Sequence, residues 1–335
     1  MTYSTLADLG WSAHFARQLD DDSTGTPARL CEIHRDRVEA LSLSGPLTLR
    51  SPDSTGAYAV GDWVLARDGL VLSRLERLTT VSRRAAGEAA QRQLIAANVD
   101  TLGIVTSCND DFNVARLERY LALAAMGGSL PLIILTKADL TDEPDDFRRQ
   151  AEALSPMVSA IALNAHDAAA VDQLTPWCKS GQTLALVGSS GVGKTTLQNA
   201  LTGIIDATQD IRSDDAKGRH TTTARALRPT LAGGWLIDTP GMRELRLTDA
   251  AEGIDAVFDD IVSLITQCKF NDCAHETEPG CAVQAAIAAG ALDAGRLKRW
   301  RKLKNEDRYS TESVHDARER FRKLGKMYKA HKKPR

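Results

Sequence analysis

The sequence predicts a chain of several domains: a small β-barrel, then an α/β domain with a parallel sheet, then a helical segment. Residues 28–81 contain short strand-like runs between glycines and prolines. From residue 95 apolar strands alternate with helices, and after residue 250 helical patterns dominate. Because 335 residues are too many for one ordinary core, we place the domains at 1–90, 91–250 and 251–335.

Composition argues against a membrane-spanning or disulfide-stapled protein. The longest apolar runs, such as Leu130–Leu135, are far too short to cross a bilayer, and the N-terminus shows no secretory signal pattern. Six cysteines are too few for a disulfide scaffold, so we expect a cytoplasmic protein with no membrane partner. Residues 296–335 hold 16 Lys/Arg against 5 Asp/Glu, while the net charge of the whole chain is −2, which favours a nucleic-acid partner over a merely solvated helix.

The first domain is predicted to be an N-terminal extension followed by an OB-fold. The extension contains one short helical pattern, LADLGWSAHFARQL, in an otherwise polar segment. About five short strands follow in residues 28–81, the number that forms an OB-fold barrel. A small β domain without any ligand would give nearly the same pattern.

The second domain carries a phosphate loop. Gly188–Thr195 reads GSSGVGKT, which fits G-x-x-x-x-G-K-[ST], follows an apolar strand and opens a helix. Glycines let backbone N–H groups surround phosphate oxygens, and the helix N-terminus adds partial positive charge. Lys194 is the expected partner of the β- and γ-phosphates and Thr195 an expected Mg²⁺ ligand. The predicted nucleotide contacts in this loop are Gly188, Ser189, Ser190, Gly191, Val192, Gly193, Lys194, Thr195 and Thr196.

Two later segments resemble the switch loops of nucleotide hydrolases. Asp238 ends the strand WLID before Thr-Pro-Gly, where its carboxylate would bind Mg²⁺ through water and the Gly241 N–H would meet the γ-phosphate. Residues 217–225, KGRHTTTAR, suit a loop that becomes ordered when one threonine hydroxyl joins Mg²⁺. Thr222 is our choice among the three threonines of that loop.

A guanine-reading motif lies upstream of the phosphate loop. In LTKADL, residues 135–140, Asp139 can accept hydrogen bonds from guanine N1–H and N2–H₂, which adenine lacks. The stem of Lys137 can lie along the base, and the Thr136 hydroxyl could hydrogen-bond to the phosphate loop. The predicted base-binding residues are Thr136, Lys137, Ala138, Asp139, Asn164 and Ala165.

The order of these motifs along the chain predicts a circularly permuted P-loop GTPase domain. In an ordinary GTPase the phosphate loop comes before the guanine reader, whereas here it comes after. A parallel sheet tolerates the change because ligand loops gather at the carboxyl ends of its strands, however these are joined.

Four metal-binding side chains cluster in the third domain. Cys268, Cys273, His275 and Cys281 offer three thiolates and one imidazole, which suits a tetrahedral Zn²⁺. Because no catalytic base stands nearby in the sequence, we predict a closed structural site in a helical zinc-binding domain. Cys31, Cys108 and Cys178 are scattered in apolar segments and read as packing residues.

These motifs together resemble the circularly permuted, ribosome-small-subunit-dependent GTPase A family (RsgA) of bacteria. The segments VGDWV, DFNVARLERYL, GRHTTTAR, IDTPGMREL and CKFNDCAHETEPGCAV look like family signatures in the family's order. The resemblance implies an OB-fold, a permuted GTPase core and a zinc domain that bind ribosomal RNA late in maturation of the small (30S) subunit. It also implies slow GTP hydrolysis that the ribosome stimulates. Asn164 stands where Ser is common in the family, and Thr136 where GTPases at large use Asn.

The group that activates water stays open. Met242 follows Asp-Thr-Pro-Gly, where many GTPases place a glutamine, and a thioether cannot polarise water. His220 is the catalytic candidate within the chain, beside Lys194 and Thr222, although it could equally be an exposed loop histidine. A potassium ion or a ribosomal group are the other options.

We therefore predict a monomeric GTPase with GTP or GDP, Mg²⁺ and one structural Zn²⁺, which binds the small ribosomal subunit. The first alternative is an ATP-dependent P-loop enzyme. The second is an RNA-binding protein whose nucleotide pocket is inactive.

Overall fold

The computed structural model describes residues 3–20, 24–84, 92–204, 225–239, 247 and 250–311. The chain divides into two compact units, each considered by itself: Met1–Ser82 with Leu94–Glu244, and Arg83–Gln93 with Leu245–Arg335. The two boundaries of the predicted three-domain division, after residues 90 and 250, stay predictions.

The first unit begins with a five-stranded antiparallel barrel. Its strand order is β3-β2-β1-β4-β5, and a bridge from Arg50 to Leu70 brings the end of β3 to the start of β5. Apolar side chains alternate along the strands, so that Leu30, Val38 and Val64 fill the interior. The strands are β1 Thr26–Ile33, β2 Val38–Ser42, β3 Gly45–Leu49, β4 Trp63–Arg67 and β5 Leu70–Arg74.

A six-stranded sheet forms the rest of the first unit. Among the described residues its strand order is β10-β9-β8-β11-β13-β12, and the edge strand β12 alone runs antiparallel to its neighbour. A separate two-stranded ladder, β6-β7, precedes this sheet in the sequence, and its residues are divided between the two units. Every residue of β8 and of β11 is buried, as expected for parallel strands covered on both faces. The strands are β6 Thr80–Arg84, β7 Arg92–Ala97, β8 Thr101–Ser107, β9 Leu130–Thr136, β10 Ser159–Ala162, β11 Thr183–Gly188, β12 Leu227–Pro229 and β13 Trp235–Asp238.

Helices connect these strands and build the second unit. Asn113 caps the longest helix of the first unit, and Gly128 ends it in a left-handed conformation, as its sequence pattern predicts. The first unit contains α1 Ala13–Ala16, α2 Val114–Gly127, α3 Pro144–Glu152, α4 Ala168–Val171, α5 Thr175–Cys178 and α6 Lys194–Thr202, with 3-10 turns at Leu6–Leu9, Thr55–Ala57, Ala138–Leu140 and Asp172–Leu174. The second unit contains α7 Ala251–Val257, α8 Asp259–Ile265, α9 Ala282–Ala288 and α10 Ala294–Thr311. In the part of the chain that the structure describes, none of the helices combines the length and apolarity needed to span a bilayer.

The N-terminal extension is anchored by aromatic side chains. The Trp11 ring lies edge-on to Trp63 of the barrel, with 4.8 Å between centroids, and Phe15 lies 5.8 Å from the same ring. At the sheet, the Trp235 indole N–H donates to the carbonyl of Asp8 at 2.8 Å. The extension therefore contacts both the barrel and the first residue of β13.

A buried arginine joins the same three parts. Arg29 of β1 is 1% exposed, and its guanidinium donates to the Leu9 carbonyl at 2.6 Å and to the Thr183 hydroxyl at 2.8 Å. Burial lowers the pKa of Arg29 to about 10, against an opposing effect of Asp100, so the side chain keeps its charge at neutral pH. Thr183 opens β11, the strand that leads to Gly188.

Replacing Arg29 should test how much this buried guanidinium stabilises the first unit. We expect Arg29→Met to lower the free energy of unfolding by about 2–4 kcal/mol, because it leaves buried carbonyls unpaired and Asp100 without a counter-charge. Arg67→Met removes an exposed arginine of β4 and should change stability by about 0.5 kcal/mol or less. Urea unfolding measures both, and equal effects of the two substitutions would contradict the role given to Arg29.

Candidate nucleotide site and metal centre

The carboxyl ends of the parallel strands lie side by side at one edge of the sheet. Thr136, the last residue of β9, pairs with Ser107 at the end of β8, and Gly188 pairs with Val105. Asp238, at the end of β13, pairs with Leu186 of β11. The loops that follow these strands therefore start at the same edge, whatever their order in the sequence.

The phosphate loop has the backbone conformation that its glycines predict. Gly188, Gly191 and Gly193 all have positive φ, at 147°, 80° and 88°. A Cβ atom at Gly188 would lie 2.2 Å from the Val105 carbonyl oxygen, so no other residue fits there without a shift of the backbone. The loop then enters α6 at Lys194, whose ammonium group donates to the carbonyls of Gly188 and Ser189. A cation thus lies across the loop, where a phosphate group would need one.

The guanine-reading segment touches the phosphate loop directly. The Thr136 hydroxyl lies 2.6 Å from the carbonyl oxygen of Val192, 56 residues away in sequence, and 3.1 Å from that of Thr106. The hydrogen bond to the phosphate loop, expected from the sequence, is therefore present. Thr136 is 1% exposed, and a Cβ at Gly193 would come within 3.4 Å of its hydroxyl. This close approach brings the two loops together.

The remaining base-binding candidates lie in the segments that follow β9 and β10. Lys137 turns the chain with φ of 57°, and the Ala138 N–H donates to the Leu163 carbonyl just before Asn164. The Asn164 side chain accepts from the His166 N–H at 2.9 Å, and Ala165 is buried. Burial, with a smaller effect of the nearby Asp139 carboxylate, raises the pKa of the Cys108 thiol to about 11. Cys108 is thus a neutral thiol at neutral pH, which agrees with its reading as a packing residue.

Asp238 lies beside the phosphate-loop strand, and the buried Thr239 that follows it donates to the Leu186 carbonyl of β11. Thr239 was not among the predicted site residues. Its hydroxyl joins the end of β13 to β11. His220, Thr222 and Gly241, with Met242, lie outside the described residues, so their predicted roles stay predictions.

The four metal-ligand candidates converge in the second unit. Their ligand atoms all lie within 4.8 Å of one another. The Cys268 sulfur lies 3.5 Å from the His275 Nδ1 and 3.9 Å from the Cys281 sulfur, and Cys281 lies 3.6 Å from the same nitrogen. A tetrahedral Zn²⁺ with bonds of about 2.0–2.3 Å sets its ligand atoms roughly 3.5–3.8 Å apart. The donor set and its spacing therefore fit zinc.

Side chains around the cluster hold its backbone in place. The Glu278 carboxylate accepts from the N–H groups of Ala274, Glu276 and Thr277, which folds the loop between the ligands. Arg301 of α10 donates to the His275 carbonyl at 2.7 Å. This outer layer was not predicted from the sequence, where its one signal is a carboxylate within a ligand loop. The cluster thus joins the loop to α10 and would supply fixed geometry rather than an open catalytic position.

Comparison with known proteins shows extensive similarity. The family model described as RsgA GTPase matches residues 74–248. A small ribosomal subunit biogenesis GTPase RsgA from Mesorhizobium japonicum is 52% identical over 316 residues, which cover 92% of this chain and 91% of the relative. An RsgA 2 protein of the same description from Vibrio parahaemolyticus is 44% identical, over 97% of this chain and 92% of the relative.

Two solved structures share the fold. YjeQ from Thermotoga maritima is 24% identical with a TM-score of 0.62, over 84% of this chain and 98% of that one. YloQ, described as a circularly permuted GTPase, is 21% identical with a TM-score of 0.60, over 88% and 99%. Together with the observed barrel, sheet and Cys₃His cluster, they confirm the predicted fold class.

Loss of one metal ligand should separate the zinc site from ordinary cysteines. We expect the purified chain to contain about one zinc ion, and Cys273→Ser to lose most of it, because the substitution removes one of the four thiolate and imidazole ligands and so weakens zinc binding. The helices of the second unit should then melt at lower temperature, since Cys281 also caps α9. Elemental analysis and circular dichroism measure both. Cys31→Ser, in the barrel, is the control; zinc content unchanged in Cys273→Ser would overturn the assignment.

Proposed function

The chain belongs to the RsgA GTPase family, and we propose that it hydrolyses GTP in a site whose two halves are the phosphate loop and the Thr136–Asp139 segment. The observation that carries this proposal is the 2.6 Å hydrogen bond from Thr136 to the Val192 carbonyl. Since the two loops touch, one nucleotide can place its base at one loop and its phosphates at the other.

In this proposal each loop recognises one part of the nucleotide. Asp139 accepts from the guanine edge, Lys137 lies along the base, and the Ala165 N–H meets the guanine O6. Gly188–Thr196 surrounds the phosphates, with Lys194 as their cation. Mg²⁺, when bound, would neutralise phosphate charge, and Thr195, Thr222 and Asp238 would hold it. The threonine loop and Gly241 complete the site around the γ-phosphate.

Water activation belongs to a group other than Met242. His220 is the candidate within the chain, because an imidazole can orient or deprotonate water at neutral pH. In this proposal it acts once docking on the ribosome has ordered the loop of residues 217–225, which contains three threonines. A potassium ion and a group supplied by the ribosome are the competing sources.

The partner in this proposal is the small ribosomal subunit and its RNA. The relatives named above are described as biogenesis GTPases of that subunit. The cations of α10 differ in their surroundings. Arg296 pairs with Asp260 at 2.7 Å and Lys304 pairs with Asp255 at 2.9 Å, whereas Lys298 and Lys302 are exposed. Among the described residues no carboxylate pairs with Lys298 or Lys302. The inner cations thus stabilise the helical unit, and the outer ones suit phosphate contacts of RNA.

The proposed partner also indicates where in the cell the protein acts. Ribosomal subunits mature in the cytoplasm of bacteria, so we place the protein there, and we expect a monomer that binds through its barrel, zinc domain and basic C-terminal residues. The three-domain division at residues 90 and 250 belongs to this proposal.

Base specificity tests the nucleotide half of the proposal. We expect GDP, and not ADP, to raise the melting temperature, and Asp139→Asn to transfer the effect from GDP to xanthosine diphosphate, because the amide side chain can donate to the xanthine 2-oxo group. Asp142→Asn, in the same loop, should keep the preference for GDP. Protection by ADP in the parent protein would favour the ATP-dependent alternative.

The effect of ribosomal subunits on the rate of GTP hydrolysis tests the proposed partner. We expect purified small subunits to accelerate GTP hydrolysis at least about tenfold at low salt, with loss of the effect at high salt, since phosphate contacts release counterions. Lys298→Gln with Lys302→Gln should weaken the stimulation and reduce its salt dependence, while hydrolysis without ribosomes stays unchanged. If subunits do not accelerate phosphate release, the chain is an RNA-binding protein with an inactive pocket.

A further inference from the structure

An arginine of α2 reaches the phosphate loop. The guanidinium of Arg116 donates to the hydroxyl of Ser189 at 2.5 Å, across 73 residues of sequence. Ser189 is the second residue of the loop, directly after Gly188. Arg116 lies in the segment DFNVARLERYL, outside the phosphate loop, the guanine-reading motif and the two switch-like segments.

The charge of Arg116 is not neutralised by a neighbour. It sits in the first turn of α2, where Asn113 caps the helix by accepting from the Arg116 N–H at 3.0 Å. A cation is unfavourable at a helix N-terminus because the helix dipole is positive there. Among the described residues no carboxylate forms an ion pair with Arg116, whereas Arg148 and Arg149 of α3 both pair with acidic residues of their own helix.

Two cations meet at Ser189. Lys194 donates to its carbonyl, and Arg116 donates to its hydroxyl. Ser189 is half-buried and Arg116 is exposed, so the guanidinium covers the outer side of the loop. Its side-chain partner among the described residues, the Ser189 hydroxyl, is neutral, which leaves the positive charge available to an anion in the loop.

We infer that Arg116 is a positioning residue of the nucleotide site and its second cation. It fixes Ser189, and with it the shape of the phosphate loop, and its charge attracts the polyphosphate of the guanine nucleotide. This inference rests on the proposed phosphate-binding role of Gly188–Thr195.

Substitutions can separate the effect of the Arg116 charge on nucleotide binding from the effect of its hydrogen bond to Ser189. Arg116→Gln removes the charge, Arg116→Lys keeps it, and Ser189→Ala keeps the charge while removing the acceptor. We expect Arg116→Gln to weaken GDP and GTPγS binding about three- to tenfold, and to flatten the dependence of affinity on salt. Arg116→Lys should restore most of the affinity, and Ser189→Ala should bind more weakly but keep the salt dependence of the parent protein.

A matched control and a positive control complete the experiment. Arg149→Gln makes the same change in net charge on the exposed surface of α3. Titration of each variant with a fluorescent GDP analogue at several salt concentrations gives the affinities, and circular dichroism verifies folding. If Arg116→Gln matches Arg149→Gln in affinity and salt dependence, the inference is overturned. If Arg116→Lys binds as weakly as Arg116→Gln, charge is not the cause and the inference is also overturned.

Lys194→Ala distinguishes this failure from failure of the underlying site. Loss of GDP binding in Lys194→Ala together with normal binding in Arg116→Gln rejects only the role of Arg116. Normal GDP binding in Lys194→Ala rejects the phosphate loop itself, and the inference with it.

Discussion

The contact between Thr136 and the Val192 carbonyl is the interaction on which the nucleotide site depends. It is short, at 2.6 Å, and almost fully excluded from water, where a hydrogen bond to a backbone carbonyl holds two loops firmly. The parallel sheet makes it possible because β9 and β11 flank β8 and end at the same edge. Two loops that are far apart in sequence, and that the proposal assigns to the base and to the phosphates, thereby become neighbours.

The opposite edge of the sheet is tied to the barrel. Arg29 holds Thr183 at the start of β11, and Trp235 at the start of β13 donates to the N-terminal extension. These two strands end at Gly188 and Asp238, which the proposal assigns to phosphate and Mg²⁺. The barrel and the N-terminal extension therefore contact the amino ends of two strands, β11 and β13, whose carboxyl ends carry residues that the proposal assigns to the nucleotide. Circular permutation leaves this arrangement intact, because it changes only which loops are covalently continuous.

Sequence patterns predicted the features that depend on local chemistry. The glycines at 188, 191 and 193 predict positive φ, because few other residues adopt that conformation easily. The spacing from Cys268 to Cys281 predicts a metal site, because three thiolates and an imidazole are typical zinc ligands. Features that depend on tertiary contacts were not predictable. Arg29, between Ala28 and Leu30 of a strand-like run, reads as a cation on the exposed face, and Arg116 as one of several arginines on an amphipathic helix. Their partners are distant in sequence, and no local pattern marks a carbonyl or hydroxyl that will be brought next to them.

The central claim is that Asp139 and Lys194 bind opposite ends of one guanine nucleotide. A crystal structure of the chain with GDP and Mg²⁺ tests it most directly. We expect the Asp139 carboxylate to lie about 3 Å from the guanine N1 and N2, and the Lys194 ammonium about 3 Å from a β-phosphate oxygen of the same molecule. A structure in which GDP contacts only one of these side chains, or in which they face separate clefts, would contradict it.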